Sequence, residues 1–113
     1  MENGLISDKQ LSASSEWDTD HAASKARLHS IAGAGSWASI TADSNQWLQI
    51  DVLSLGKKFT RVTRVSTQGR ASAANQQWVT KYKLQFSNDA VNFQYYKEQG
   101  QTTDKVKEML NET

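Results

Sequence analysis

The sequence contains no cysteine and no proline. Without cysteine, disulfides and thiolate chemistry are excluded in any compartment. Without proline, turns must rest on glycine, asparagine, aspartate and serine. No apolar run is long enough to span a bilayer as a helix, and the N-terminal MENGLISDKQ lacks the apolar core of a signal peptide. The expectation is synthesis in the cytosol, or a leader outside these residues. An excess of charge is missing as well. Thirteen basic and twelve acidic residues give a net charge of +1, and the lysines and arginines are spread along the chain rather than bunched. That balance offers no electrostatic footprint for duplex nucleic acid and no polybasic run for an anionic membrane. No nucleic-acid partner is expected.

What is present suits one modest globular domain. The chain has 113 residues, 37% of them hydrophobic and 22% charged, with four Trp, three Tyr and three Phe to fill an interior. Strand signals dominate. WLQIDVL (47–53) places Leu48, Ile50 and Val52 on one face and Gln49 and Asp51 on the other. WVTKYKLQFS (78–87) alternates Trp78, Thr80, Tyr82, Leu84 and Phe86 against Val79, Lys81, Lys83 and Gln85. A period of two there predicts four large side chains in a core and the lysines in water. FTRVTRVSTQG (59–69) is β-branched and strand-like, although Val62 and Val65 fall on opposite faces, as a bulge or two-sided burial would allow. FQYYKE (93–98) follows the turn SNDAVN, so 78–98 reads as a hairpin. QLSAS (10–14) is a weak first strand.

Between these lie long, chemically distinct loops. Residues 15–46 hold no convincing strand; AGAGS (32–36) reads as flexible and ITADSNQ (40–46) as turn-forming. RASAANQ (70–76) joins two strong strands with small and polar residues. The final segment, TTDKVKEMLNET (102–113), places Val106, Met109 and Leu110 at helical spacing behind a Thr103 cap, which predicts a short C-terminal helix. The class is all-β, an antiparallel sandwich or barrel with loops gathered at its ends.

MENGLISDKQLSASSEW, SKARLH, WLQIDV, VTRVSTQGR and WVTKYKLQFSNDAVNF, in that order and spacing, closely resemble the discoidin domain, also called the coagulation factor V/VIII C-type domain. The resemblance covers residues 1–101. It implies an antiparallel, jelly-roll-like β-sandwich with binding loops at one end, here 15–24, 31–40 and 70–76. It also implies a secreted or cell-surface recognition module without enzymatic activity. Its ligand would be a glycan, collagen or glycoprotein, or alternatively a phosphatidylserine-containing membrane. Two departures stand out. The family's flanking cysteines are absent, and the strands that follow the equivalent of Gly100 give way to the divergent 102–113. A C-terminally truncated sandwich would leave open sheet edges, which invite self-association or an assembly role.

The resemblance directs attention to six ligand-binding candidates: Trp17, Asp18, Asp20, His21, Arg70 and Asn75. Trp17 matches a loop tryptophan of collagen-receptor relatives, and its ring suits an interface or a sugar face. Its structural alternative is packing on Leu28 or Trp37. Arg70 closes TQGR, where collagen-binding relatives also place an arginine; it would grip a carboxylate or sulfate, or else pair internally with Asp18 or Asp20. Asp18 and Asp20 are weak candidates for Ca2+, lacking a glycine turn and a bidentate glutamate at the right offset. No other cofactor is expected. His21 as a catalytic base finds no nucleophile or oxyanion donor placed by the sequence. Trp37 is expected to be buried, and His29 to pack near the barrel end.

Overall fold

The computed structural model describes residues 6–52, 61–70, 74 and 77–108. Among the described residues there are six short strands: β1 (Leu11–Ala13), β2 (Leu48–Ile50), β3 (Lys81–Lys83), β4 (Gln85–Phe86), β5 (Gln94–Tyr95) and β6 (Val106–Glu108). They form three antiparallel pairs, β1–β2, β3–β6 and β4–β5. Three single 3-10 turns, Asp8–Gln10, Thr19–His21 and Ala23–Lys25, complete the regular structure among the described residues. The described residues contain no α-helix, as expected of an all-β chain.

The chain divides between Gln77 and Trp78 into two compact units. In the first, β1 and β2 pair in the register Leu11↔Ile50, Ser12↔Gln49 and Ala13↔Leu48. The ladder is extended by Asp51 N–H donating to the Gln10 carbonyl at 2.7 Å and Ser14 N–H to the Trp47 carbonyl at 2.9 Å. Both strands fall where the sequence places them. Against β1 packs the Ala23–Lys25 turn, and here lie Leu11 and Ala23, 7% and 2% exposed, the two buried apolar residues among those described. The turn entering β1 is set by Ser7 and Gln10, whose Oε1 accepts from the Ser7 backbone N–H at 2.9 Å. Asp8 pairs with Arg27 at 2.7 Å, tying that turn to the following loop.

In the second unit the expected hairpin forms: Gln85 lies opposite Tyr95 and Phe86 opposite Gln94, and Tyr96 N–H reaches the Leu84 carbonyl at 2.8 Å. The turn between them is organised by Asp89. Its carboxylate accepts the backbone N–H groups of Val91 and Asn92, at 2.9 and 2.8 Å, and the Ser87 hydroxyl at 2.8 Å. These bonds, that of Asn92 foremost, hold the Asp89 carboxyl well below the usual carboxylate range.

Three expectations are corrected. The helix over the C-terminal segment does not form where the segment is described: Val106–Glu108 is extended and pairs with β3, Lys83 opposite Val106. A helix of that length is marginal on its own, and a strand edge offers β-branched Val106 a ladder instead. Thr103 and Asp104 lie outside any helix, with Asp104 against Lys83 at 3.3 Å. The strand over 59–69 is likewise not realised across 61–69, where Val62 and Val65 are both exposed and no described strand lies alongside. Finally, WVTKYKLQFS does not bury its large face. Tyr82 and Leu84 are half-buried, but Trp78 and Phe86 are exposed, because β3 and β4 each belong to a two-stranded pair with no covering layer among the described residues of that unit.

Candidate functional site

The two long loops of the first unit are joined by backbone hydrogen bonds. Trp17 N–H donates to the Ala38 carbonyl at 2.8 Å, Ala38 N–H to the His21 carbonyl at 3.2 Å, and Ala34 N–H to the Asp20 carbonyl at 2.9 Å. Around them, Trp37 Nε1–H donates to the Ser15 carbonyl at 2.9 Å, and Ile40 N–H to Ser15 Oγ at 3.0 Å. Trp37 is thereby half-buried, its one polar atom satisfied. AGAGS, which reads as flexible, is a defined turn. Gly33 and Gly35 have φ of +58° and +71°, and Gly35 N–H bonds the Ala32 carbonyl at 3.0 Å. A Cβ on Gly33 would stand 2.7 Å from the Asp20 carbonyl oxygen, so glycine is what lets the second loop lie on the first.

The third loop enters through Arg70. Its Nε–H donates to the Ala34 carbonyl at 3.2 Å and its Nη1–H to Gln77 Oε1 at 3.0 Å, while its backbone N–H takes the Gln77 carbonyl at 2.8 Å. Neither Asp18 nor Asp20 is the partner of the guanidinium. The internal ion pair weighed for Arg70 is replaced by bonds that clamp the base of the third loop to the second, and Nη2 takes part in neither side-chain bond.

Asp18 turns to His21 instead. It precedes the Thr19–His21 turn, and its Oδ1 lies 3.0 Å from His21 N–H and 2.6 Å from His21 Nδ1. An ionised carboxylate only accepts, so Nδ1 carries the proton of that bond. The ring's hydrogen bond, more than its charge, lowers the Asp18 carboxyl below its ordinary value. His21 is thus anchored by both its backbone and its ring.

Trp17 stands next to this anchored turn and is 62% exposed, so it is not folded away on Leu28 or Trp37. Asp18 and Asp20 are exposed, and His21 and Arg70 are half-buried. The structure therefore brings Trp17, Asp18, Asp20, His21 and Arg70 onto one laced set of loops; Asn75 lies outside the described residues. Sequence reasoning missed two participants. Ile40 is 60% exposed and Ile31 is 91% exposed. The available signal was an isoleucine at each edge of the second loop, Ile31 just before AGAGS and Ile40 at the start of ITADSNQ. The lacing itself, made mainly of backbone groups, leaves no residue-type signature.

The weak Ca2+ candidates, Asp18 and Asp20, have few companions. Among the described residues no three His, Cys, Asp or Glu side chains converge. His29 is a correction. It is exposed rather than packed, in left-handed backbone at φ +57°, with its N–H donating to Gln68 Oε1 at 3.0 Å.

The F5/8 type C domain matches residues 10–113. The chain belongs to that family. F5/8 type C, or discoidin, domains are β-sandwiches, and the short antiparallel strands here fit that fold. Coagulation factor V of Sus scrofa is 34% identical over 115 residues, covering 98% of this chain and 5% of that protein. The EGF-like repeat and discoidin I-like domain-containing protein 3 of Homo sapiens is 37% identical, covering 94% of this chain and 22% of its own length. Retinoschisin of Mus musculus is 36% identical, covering 88% and 44%. The chain thus spans less than half the length of each of these relatives. No helix among its described residues is long and apolar enough to cross a membrane.

Proposed function

We propose that this F5/8 type C domain is a non-enzymatic recognition module of the secreted or cell-surface environment. It binds a glycan, collagen or glycoprotein through the loop end formed by 15–24, 31–40 and Arg70. The observation that carries this reading is the open Trp17 ring beside a rigidly capped turn, with exposed Asp18 and Asp20 around it. A large ring presented by an already ordered loop loses little entropy on binding, and such residues dominate binding energy. Arg70 supplies positive charge at the base of the same loops. The first two loops and Arg70 are tied to one another before any ligand arrives, which favours a preorganised site.

A second reading has its own support. Ile31 and Ile40 stand exposed on the loop that is laced to Trp17, a set of apolar tips suited to a phosphatidylserine-containing membrane. Trp17→Ala tests both. On a glycan and matrix-protein array the variant is expected to lose on the order of 2 kcal/mol of binding, roughly 30-fold in Kd, while its fluorescence and circular dichroism report a folded chain. Unchanged binding by the folded variant would sink the recognition reading. Liposome sedimentation with and without phosphatidylserine, on Ile31→Ser/Ile40→Ser, separates the membrane reading.

A further inference from the structure

Residues 61–68, RVTRVSTQ, run without helix, strand, turn or bend, and every one of them is exposed. Among the described residues, none takes a backbone N–H or carbonyl of 61–66 in a hydrogen bond. The run is fastened only towards its end: Gln68 accepts from His29 N–H, and Arg70 beyond it is clamped to Ala34 and Gln77. The bond from Arg64 to Val65 lies at its centre. Arg64 enters none of the ion pairs among the described residues. No acidic residue and no proline occurs within the run. Other described cations are held differently. Arg27 pairs with Asp8, and β3 and β6 take Lys81, Lys83 and Lys107 into a ladder. Lys97 is exposed, but both backbone groups of the preceding Tyr96 are bonded, to Leu84 and Lys105, and Glu98 follows it.

We propose that the Arg64–Val65 bond is a processing site of the folded chain for an arginine-specific serine endopeptidase of the trypsin type. Such an enzyme takes its substrate as an extended segment, pairing with main-chain N–H and C=O groups as an added strand would. It reads the residue before the scissile bond in a pocket that bears a carboxylate. The run meets both needs, with main-chain groups unclaimed over 61–66 and an unpaired guanidinium at Arg64. A bond within a ladder or a helix is reached only after local opening, whereas this one is open in the folded chain. Hydrolysis consumes one water. The bond between the Arg64 carbonyl carbon and the Val65 nitrogen breaks; the hydroxyl goes to that carbon and the proton to that nitrogen. With no cysteine in the chain, no disulfide holds the two pieces, and the cut parts Trp17, Asp18 and His21 from Arg70 along the chain. The site does not rest on the loop reading.

Trace trypsin acting on the 113-residue protein, followed by mass and N-terminal sequencing, tests the proposal. The first cut is expected at Arg64–Val65, ahead of Arg61, Arg70 and Lys97. Arg64→Gln is expected to slow release of the fragment beginning at Val65 on the order of 100-fold, because the pocket's carboxylate loses its partner. Arg64→Lys should pass the same cut to a lysine-specific endopeptidase, which leaves that bond of the parent intact. Tryptophan emission matching the parent protein establishes that each variant is folded. A final measurement separates a site in the folded chain from one reached by unfolding. The cleavage rate, corrected for the enzyme's activity on a short peptide, should stay flat in urea below the unfolding transition. A bond exposed only by opening would be cut faster from the first addition. The proposal is overturned if the first cut falls at any other bond, or if the lysine-specific enzyme fails to cut Arg64→Lys there. A rate that climbs with urea throughout would overturn it equally.

Discussion

Gly33 lies against the Asp20 carbonyl with no room for a side chain, and its φ of +58° is one that L residues rarely adopt. Gly33→Ala therefore carries both a left-handed cost of about 1–2 kcal/mol and a clash with backbone. Gly100, at φ +82° with nothing within 4 Å of its would-be Cβ, carries only the first. Urea melts should show Gly33→Ala as the more damaging change, and equal midpoints would count against the laced loops. Asp18 gives a second test at this scale. Its folded carboxyl lies below the ordinary value of 3.8, so its bond to His21 adds stability above that pH and loses it as the pH falls through the lower, folded value. The His21 backbone amide shift should accordingly titrate with a midpoint below 3.8, and Asp18→Asn should remove that titration while keeping a cap. A midpoint at or above the ordinary value would refute the pairing.

Among the elements, the β4–β5 hairpin depends on one carboxylate. Asp89 gathers two backbone N–H groups, the Ser87 hydroxyl and Asn92 Nδ2. Asp89→Ala should collapse the hydrogen-exchange protection of the Tyr96 amide, which closes the ladder on Leu84, while Ser87→Ala leaves most of it. Because the carboxyl is held far below its usual range, the hairpin should keep that protection at pH 3, and an earlier loss would contradict the turn described. The pairing of β6 with β3 makes a further prediction. Ending the chain after Gln101 removes the ladder partner of Lys81–Lys83, so the amides of β3 should lose protection, whereas an autonomous helix at 102–113 would leave them unchanged.

For the whole molecule, the consequence of sparse burial is association. Trp78, Phe86, Val91, Phe93, Tyr95 and Tyr96 are exposed, and each described ladder has only two strands. Apolar exposure of this kind together with open edges promotes contact between chains. Light scattering after size exclusion should show self-association that grows with concentration. The urea midpoint should rise with concentration as well; a concentration-independent monomer would argue against it.

The sequence by itself determined the all-β class, the family, the positions of β1 and β2, the hairpin, and five of the loop residues now found together. Period-two alternation, turn chemistry and residue type are local properties, and local properties are legible in one dimension. It did not determine that 61–69 would lack a ladder, that Val106–Glu108 would pair as a strand, or that Trp78 and Phe86 would stay open. Each of these depends on whether a partner strand or covering layer is at hand, which no local pattern encodes. The site divides in the same way. Trp17, Asp18 and Arg70 announce their chemistry, but only the tertiary structure decided that Asp18 would take His21 and Arg70 would take Ala34 and Gln77. Hydrogen-bond partners distant in sequence are chosen by proximity, and proximity is what folding creates.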